Sequence, residues 1–405
     1  MDKQNNLISK KLALIKPSPT IAVTMKAKEL KASGKDIIGL GAGEPDFDTP
    51  EHIKKAAYEA ISSGKTKYTP VDGIPELKEA IINKFKKENN LNYKKSQITV
   101  GCGAKHVIFN ILAATINDGD EVVIPSPFWV SYPDMVLING GTPVIVKTSK
   151  ESNFKMTANL LEESITKKTK FLILNSPSNP TGECYTENEL KEIATVLKRH
   201  PNVYVISDDI YEHIRYDDSP YVNIANVDHS IKDRVFVVNG VSKAYSMTGW
   251  RIGYAAGNEE VIKGISKIQS QSTSNPCSIS QYAAIEALSE NSNDFIKENK
   301  KLFKKRRDLV INLLSDIKGI NAKIPDGAFY IFASCEDVLG KKTKGGNVIR
   351  NCTDFSKYLL EEELVAVVPG VAFGMENFFR ISYATSEEAL VKACDRIKRF
   401  VVNLL

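Results

Sequence analysis

The sequence predicts an α/β protein with a mainly parallel seven-stranded sheet, followed along the chain by a smaller α+β unit. Three observations predict it. From about residue 50 helical and strand-like segments alternate, seven short apolar runs recur between residues 97 and 256, and beyond residue 292 the pattern changes. Such alternation marks helices packed on a mostly parallel sheet. At 405 residues, with 42% hydrophobic and 25% charged content, the chain is long enough for two domains with their own cores.

The elements follow in order. Thr49-Pro50 supplies an N-cap and a proline at the first helical position, Ile53, Ala56, Ala57, Ala60 and Ile61 follow at helical spacing, and Gly64 closes the helix. Residues 74–90 read as a second, lysine-rich amphipathic helix. The strand candidates are residues 97–100, 121–124, 143–146, 171–174, 203–207, 235–238 and 252–256. A charged amphipathic helix over 293–314 then leads to strands at 323–324, 328–332, 365–368 and 378–383, and a last helix over 387–402. The expected division is 1–48, 49–292 and 293–405, the first segment packing with the third because it is too short for a domain. Residues 341–346 are the expected mobile loop.

Composition excludes several classes. The 54 basic and 49 acidic residues are well mixed, so the net charge of +5 forms no basic stripe or arm for nucleic acid. Six cysteines, at 102, 184, 277, 335, 352 and 394, include no CxxC pair, and the five histidines show no metal spacing. Reduced thiols in a cytoplasm are therefore expected, with no metal. Residues 1–16 lack a long apolar core, and no stretch approaches the roughly 18 apolar residues needed to span a bilayer, so neither secretion nor membrane anchoring is expected.

The most informative motif is Ser242-Lys243 followed by Arg251, just past an apolar run. A lysine in a small-residue loop with a serine and an arginine suits an aldehyde cofactor that carries a phosphate: the lysine forms a Schiff base and the arginine meets the phosphate. Surface lysines are the commoner case. Gly101-Cys102-Gly103-Ala104-Lys105, between a strand and a helix, suits a phosphate at a helix N-terminus, or serves the turn alone. Asn175 to Gly182 follows another strand, at the end where ligands of open α/β sheets bind, and its prolines hold Asn179 toward a ring oxygen or simply make a rigid turn.

Asp208 and Tyr211 end a third strand. A buried carboxylate needs a cation such as a protonated pyridine nitrogen, unless Asp208 or Asp209 caps a helix. Trp129 is one of two tryptophans and suits stacking on a flat ring, or belongs to the core. Arg380, inside an apolar run, suits a carboxylate bidentately, or forms a structural salt bridge.

In this order along nearly the whole chain, these features resemble the fold-type I pyridoxal-phosphate enzymes, specifically the class I/II aminotransferases. The likeness is greatest to the bacterial Ib aspartate aminotransferases. Blocks that carry it include Gly41-Ala42-Gly43-Glu44-Pro45-Asp46-Phe47-Asp48-Thr49-Pro50, Lys67-Tyr68-Thr69-Pro70-Val71-Asp72-Gly73, Val368-Pro369-Gly370 and Arg380-Ile381-Ser382-Tyr383-Ala384-Thr385.

The resemblance implies a role for each position. Lys243 holds pyridoxal 5′-phosphate and moves the proton, Asp208 keeps the pyridine nitrogen protonated, and Tyr211 and Asn179 donate to the ring oxygen. Ser242, Arg251 and the Gly103-Ala104-Lys105 turn form the phosphate cup, and Tyr68 reaches the phosphate of a second subunit, implying a homodimer with shared active sites. Arg380 binds the substrate α-carboxylate, with Gly43, Trp129 and Asn179 lining the same pocket. Gly240 stands where animal-type relatives carry a second serine, and the arginine with which Ia enzymes hold a distal carboxylate has no counterpart. In the Ib group a lysine in the position of Lys105 takes that part. Lys16 is the candidate for helping with prephenate, or is a surface lysine before a turn.

The implied reaction is ping-pong transfer of the amino group from L-aspartate to 2-oxoglutarate, with prephenate a further acceptor giving L-arogenate. The alternatives are an aminotransferase for aromatic or other amino acids, a pyridoxal-phosphate lyase of the same fold, and a non-catalytic sensor fused to a DNA-binding module, whose extra segment is not found ahead of residue 30.

Overall fold

The computed structural model describes residues 7–15, 17, 19–217 and 219–405. All seven strand candidates of the first region form one sheet: β1 (Ile98–Gly101), β2 (Glu121–Ser126), β3 (Thr142–Lys147), β4 (Thr169–Asn175), β5 (Tyr204–Asp208), β6 (Val235–Gly240) and β7 (Gly253–Ala256). Their order is β1-β7-β6-β5-β4-β2-β3, with β7 antiparallel to both neighbours and the other pairings parallel. Alternate side chains feed two cores: Leu172, Val205 and Val237 pack on one face, Phe171, Ile206 and Phe236 on the other. Most of these strands are buried on both faces and read as apolar runs, which is why they were visible in the sequence; β3, at the sheet edge, is partly exposed.

The reversal of β7 positions the site. The parallel strands end at one edge, where Asn175, Asp208 and the loop after Gly240 emerge; β7 begins at that same edge, two residues after Arg251. Ligands of open α/β sheets bind at this edge. Close packing there demands glycine: a Cβ on Gly253 would stand 2.1 Å from the Ala104 backbone nitrogen.

A second, antiparallel sheet comprises β8 (Asn321–Ala322), β9 (Tyr330–Ser334), β10 (Val368–Pro369) and β11 (Phe378–Ser382), in the order β10-β11-β9-β8. Helices Asn293–Ser315 and Glu387–Val402 pack together beside it. The early segment Ile38–Gly39 pairs in parallel with Val365–Ala366, and Ala27 on helix Pro19–Ala32 packs with Ala366. Among the described residues no helix is long and apolar enough to cross a membrane.

Five local expectations need correction. Pro50, not Thr49, occupies the cap position of helix Glu51–Ser62, and the Thr49 hydroxyl instead donates to the Ser246 carbonyl at 2.7 Å. Ile53, Ala57 and Ala60 are buried in that helix but Ile61, one position beyond the buried stripe, is 50% exposed. Residues 323–324 follow the short strand rather than form it, because Lys323 pairs with Glu183 at 2.6 Å and Ile324 is exposed; residues 365–368 divide between two sheets. The 341–346 loop is tied down by Lys342, which exchanges backbone hydrogen bonds with Leu405, and Thr343 is buried.

Candidate active site

Lys243 lies in the loop after β6, and its Nζ donates to the Gly43 carbonyl at 2.5 Å. Burial pulls its ammonium down to about 8, against the opposing charge of Glu44. A lysine so shifted carries a neutral fraction on the order of a tenth to a fifth near physiological pH, far more than an unshifted lysine, and the neutral amine is the form a nucleophile or proton carrier needs. Around it lies a cavity of about 230 Å³ that Asp208, Tyr211, Asn179, Trp129, Lys105 and Arg380 help to line.

Asp208, at the C-terminal end of β5, is only 4% exposed. Its Oδ2 accepts from the Tyr132 hydroxyl at 2.6 Å and its Oδ1 from the Ile210 amide at 3.3 Å. Burial pushes the carboxyl up to about 6 despite those bonds. The hydroxyls of Tyr211 and Tyr330 meet at 2.8 Å, and burial raises the Tyr211 phenol well above its ordinary value. Both phenols therefore stay protonated and able to donate.

Arg380, on β11, brings the smaller sheet into the cavity. It is 2% exposed, yet among the described residues its guanidinium hydrogen-bonds only neutral acceptors: Asn179 Oδ1 at 2.8 Å and the Gly41 carbonyl at 2.7 Å. Its Nε is buried with no partner, while its guanidinium lies 4.4 Å from the centre of the Tyr330 ring. A buried cation without a counterion is unfavourable, and a carboxylate from a ligand would satisfy it. A structural salt bridge is not what holds this arginine. Asn179 is itself fixed by its amide, which donates to Asn175 Oδ1 at 2.8 Å.

The opposite end is built for an anion. Helix Ala104–Thr115 starts after Gly103, whose φ of 92° and missing side chain both matter: a Cβ there would stand 2.3 Å from Arg251 Nη2. Arg251 donates to the carbonyls of Thr248 at 2.8 Å and Cys102 at 3.2 Å, which aim it at the helix N-terminus beside Ser242. Gly240 has no room for a serine without a shift, since a Cβ would lie 2.9 Å from the Ile252 carbonyl. Lys105 Nζ sits 4.9 Å from the centre of the Trp129 ring, and burial together with Arg251 lowers its ammonium.

Two sequence candidates fall elsewhere. Tyr68 is 91% exposed and does not line the cavity of its own chain. Lys16 lies outside the described residues. Conversely, Tyr132, Tyr330 and Thr248 line the cavity but escaped the sequence reading, and Asn175 entered it only as the start of its loop. Tyr132 follows Trp129 by three residues, its amide closing a turn onto the Trp129 carbonyl at 3.0 Å just before helix Tyr132–Ile138, whereas Tyr330 sits in an apolar strand and carried no signal.

The residues present fit a planar aldehyde cofactor with a phosphate. An amine of lowered pKa, a buried carboxylate, a pair of protonated phenols and a helix N-terminus with an arginine converge on one cavity, and a Cβ at Gly103 would encroach on the cradle. The family model for aminotransferase class I and II matches residues 35–397. The "probable aspartate/prephenate aminotransferase" of Rickettsia bellii is 58% identical, over 97% of this chain and 98% of that protein. The aspartate/prephenate aminotransferase of Cereibacter sphaeroides is 55% identical, over 98% and 99%. The crystal structure of the aspartate aminotransferase from Rhizobium meliloti superposes with a TM-score of 0.95 at 50% identity, covering 98% of this chain and 99% of that one.

Proposed function

As this chain belongs to the class I and II aminotransferases, which use pyridoxal 5′-phosphate, we propose that it moves the amino group of L-aspartate to 2-oxoglutarate, and that prephenate is a second acceptor giving L-arogenate. The observation that carries the reading is the pairing of Lys243, poised near neutrality, with a buried Arg380 whose hydrogen-bond partners are all uncharged. The names of the relatives support the substrates.

The cofactor, when bound, supplies an electron sink for the pair released at the substrate α-carbon. Lys243 would hold it and then, through Nζ, carry the proton from the α-carbon. Asp208 would face the ring nitrogen; burial drives its carboxyl toward the neutral form, so a protonated ring nitrogen beside it would stabilise the carboxylate and be stabilised in return. Tyr211 and Asn179 would donate to the ring oxygen, Trp129 would cover a ring face, and Ser242, Arg251 and the amides of Gly103, Ala104 and Lys105 would bind the phosphate. Arg380, with Gly43 and Asn179 beside it, orients the substrate α-carboxylate, and Lys105 meets the distal one. Lys16 is assigned to the prephenate side chain.

The reading extends to a cytoplasmic homodimer in which the exposed Tyr68 reaches the phosphate of the other subunit. Residues 1–48 go with a small domain, 293–405, and residues 49–292 form the cofactor domain; the pairing of Ile38–Gly39 with Val365–Ala366 supports this division.

The test is the absorbance of cofactor-loaded protein when L-aspartate is added alone, then with 2-oxoglutarate or prephenate. The cofactor band should fall with aspartate and return with either acceptor. A band insensitive to aspartate but removed by an aromatic or branched amino acid would overturn the substrate assignment.

A further inference from the structure

A second polar centre stands behind the cavity wall. Lys84, near the end of helix Pro75–Asn89, has a side chain with no exposure, and it is ion-paired to Glu212, whose side chain is 4% exposed. Glu212 Oε1 also accepts from Asn239 Nδ2 at 2.6 Å, and its Oε2 from Asn89 Nδ2 at 2.7 Å. Lys84 Nζ donates in turn to Asn89 Oδ1 at 2.7 Å. Glu88 and His213 lie on the outer side of this group, within metal-binding distance of Glu212, but the Lys84 ammonium already supplies the cation there, 3.5 Å from Glu88.

The connections give the group a direction. Glu212 is the residue after Tyr211, and its amide closes the turn onto the Asp209 carbonyl at 2.9 Å, so it belongs to the turn that presents Asp208 and Tyr211. Asn239 is next to last on β6, four residues before Lys243, and its Oδ1 accepts from the Gly240 amide at 2.7 Å. The Glu212–Asn239 hydrogen bond therefore ties the turn carrying the carboxylate and phenol to the strand carrying the lysine.

Stability alone does not call for this. Two buried charges are expensive to desolvate, and apolar residues of similar volume are often as stable. A satisfied ionic network fixes orientation in a way an apolar contact does not. Resting on the roles given above to Tyr211 and Lys243, we propose that Lys84 and Glu212 are positioning residues for transamination, acting through Asn239 to hold Lys243 in register with Asp208 and Tyr211.

Two variants test it: Lys84→Met with Glu212→Leu, which replaces the pair by apolar groups, and Asn239→Ala, which leaves the pair intact and removes the link together with the side chain's bond to the Gly240 amide. Each is loaded with pyridoxal phosphate and measured for the pH midpoint of the cofactor absorbance, for kcat and KM with aspartate, and, without cofactor, for thermal midpoint. In both, the absorbance midpoint should move by about half a pH unit, and kcat should fall on the order of tenfold. KM should stay within about twofold, because Arg380 is untouched. A folded Asn239→Ala protein with unchanged midpoint and kcat would overturn the proposal, whether or not the double variant folds. If the wild-type protein shows no pH-dependent cofactor band, the reading of the site fails first and this inference falls with it.

Discussion

Tyr132 and Asp208 join helix Tyr132–Ile138 to the end of β5: the phenol donates to Oδ2 at 2.6 Å, both groups are buried, and the tyrosine's ring meets Trp129 edge to face at 5.2 Å between centroids. One residue thus supports the carboxylate and braces the indole.

Tyr132→Phe keeps the brace and removes the hydrogen bond. A bond to a charged group contributes about 1.5–3 kcal/mol, so the thermal midpoint should fall by a few degrees, and kcat with aspartate should fall roughly ten- to hundredfold as Asp208 loses its fixed orientation. Steady-state kinetics beside a melting curve checks this; an unchanged kcat would leave Asp208 independent of Tyr132.

The pH dependence of cofactor capture follows from Lys243. Its ammonium is lowered to about 8, so the neutral amine grows as pH rises through about 8, not near the ordinary lysine value of 10.5. Stopped-flow uptake of pyridoxal phosphate by the cofactor-free protein should accelerate over that range and then level off. A rate still climbing steeply at pH 10 would contradict it.

Stability of the cofactor-free protein should move the other way. Burial raises Asp208 to about 6 and Asp209 to about 8, so between pH 4 and 8 the folded state holds protons that the unfolded chain has lost, and stability falls as pH rises. Urea midpoints should therefore decline from pH 5 to pH 8. Loading with cofactor should remove the Asp208 share of the decline, because its carboxylate then faces a cation.

Lys105→Ala should discriminate between substrates. Losing one side of a buried charge pair costs roughly 2–5 kcal/mol, and kcat/KM for aspartate should drop accordingly while an uncharged amino acid is affected much less. Equal losses for both would show that Lys105 does not meet the distal carboxylate.

Gly103→Ala places a methyl 2.3 Å from Arg251 Nη2 on a backbone with φ of 92°. The arginine must swing away, and equilibrium titration should show pyridoxal phosphate binding weakened by about tenfold or more.

The sequence made the large sheet legible because its strands carry short apolar runs, and it made Lys243, Arg251, Asp208 and Arg380 legible because, although each alone has a bland explanation, they fall in one order along the chain. It was poorer where a residue's meaning depends on a distant partner. Tyr330 looks like any core tyrosine until its hydroxyl is found 2.8 Å from Tyr211, and Lys84 looks like one of many lysines on a charged helix until it is found without exposure. Thr49 matched a cap pattern, yet its hydroxyl serves the Ser246 carbonyl, a contact across 197 residues that no local rule contains.

The reversal of β7 has a mechanical consequence. Lys243 and Arg251 hang from one span between β6 and β7, whereas Asn179 and Asp208 emerge on separate strands. A displacement of that span is shared by the residues at both ends of the cofactor, like a handle gripped at two points. Substitutions at positions 244–250 should thus disturb phosphate grip and proton transfer together.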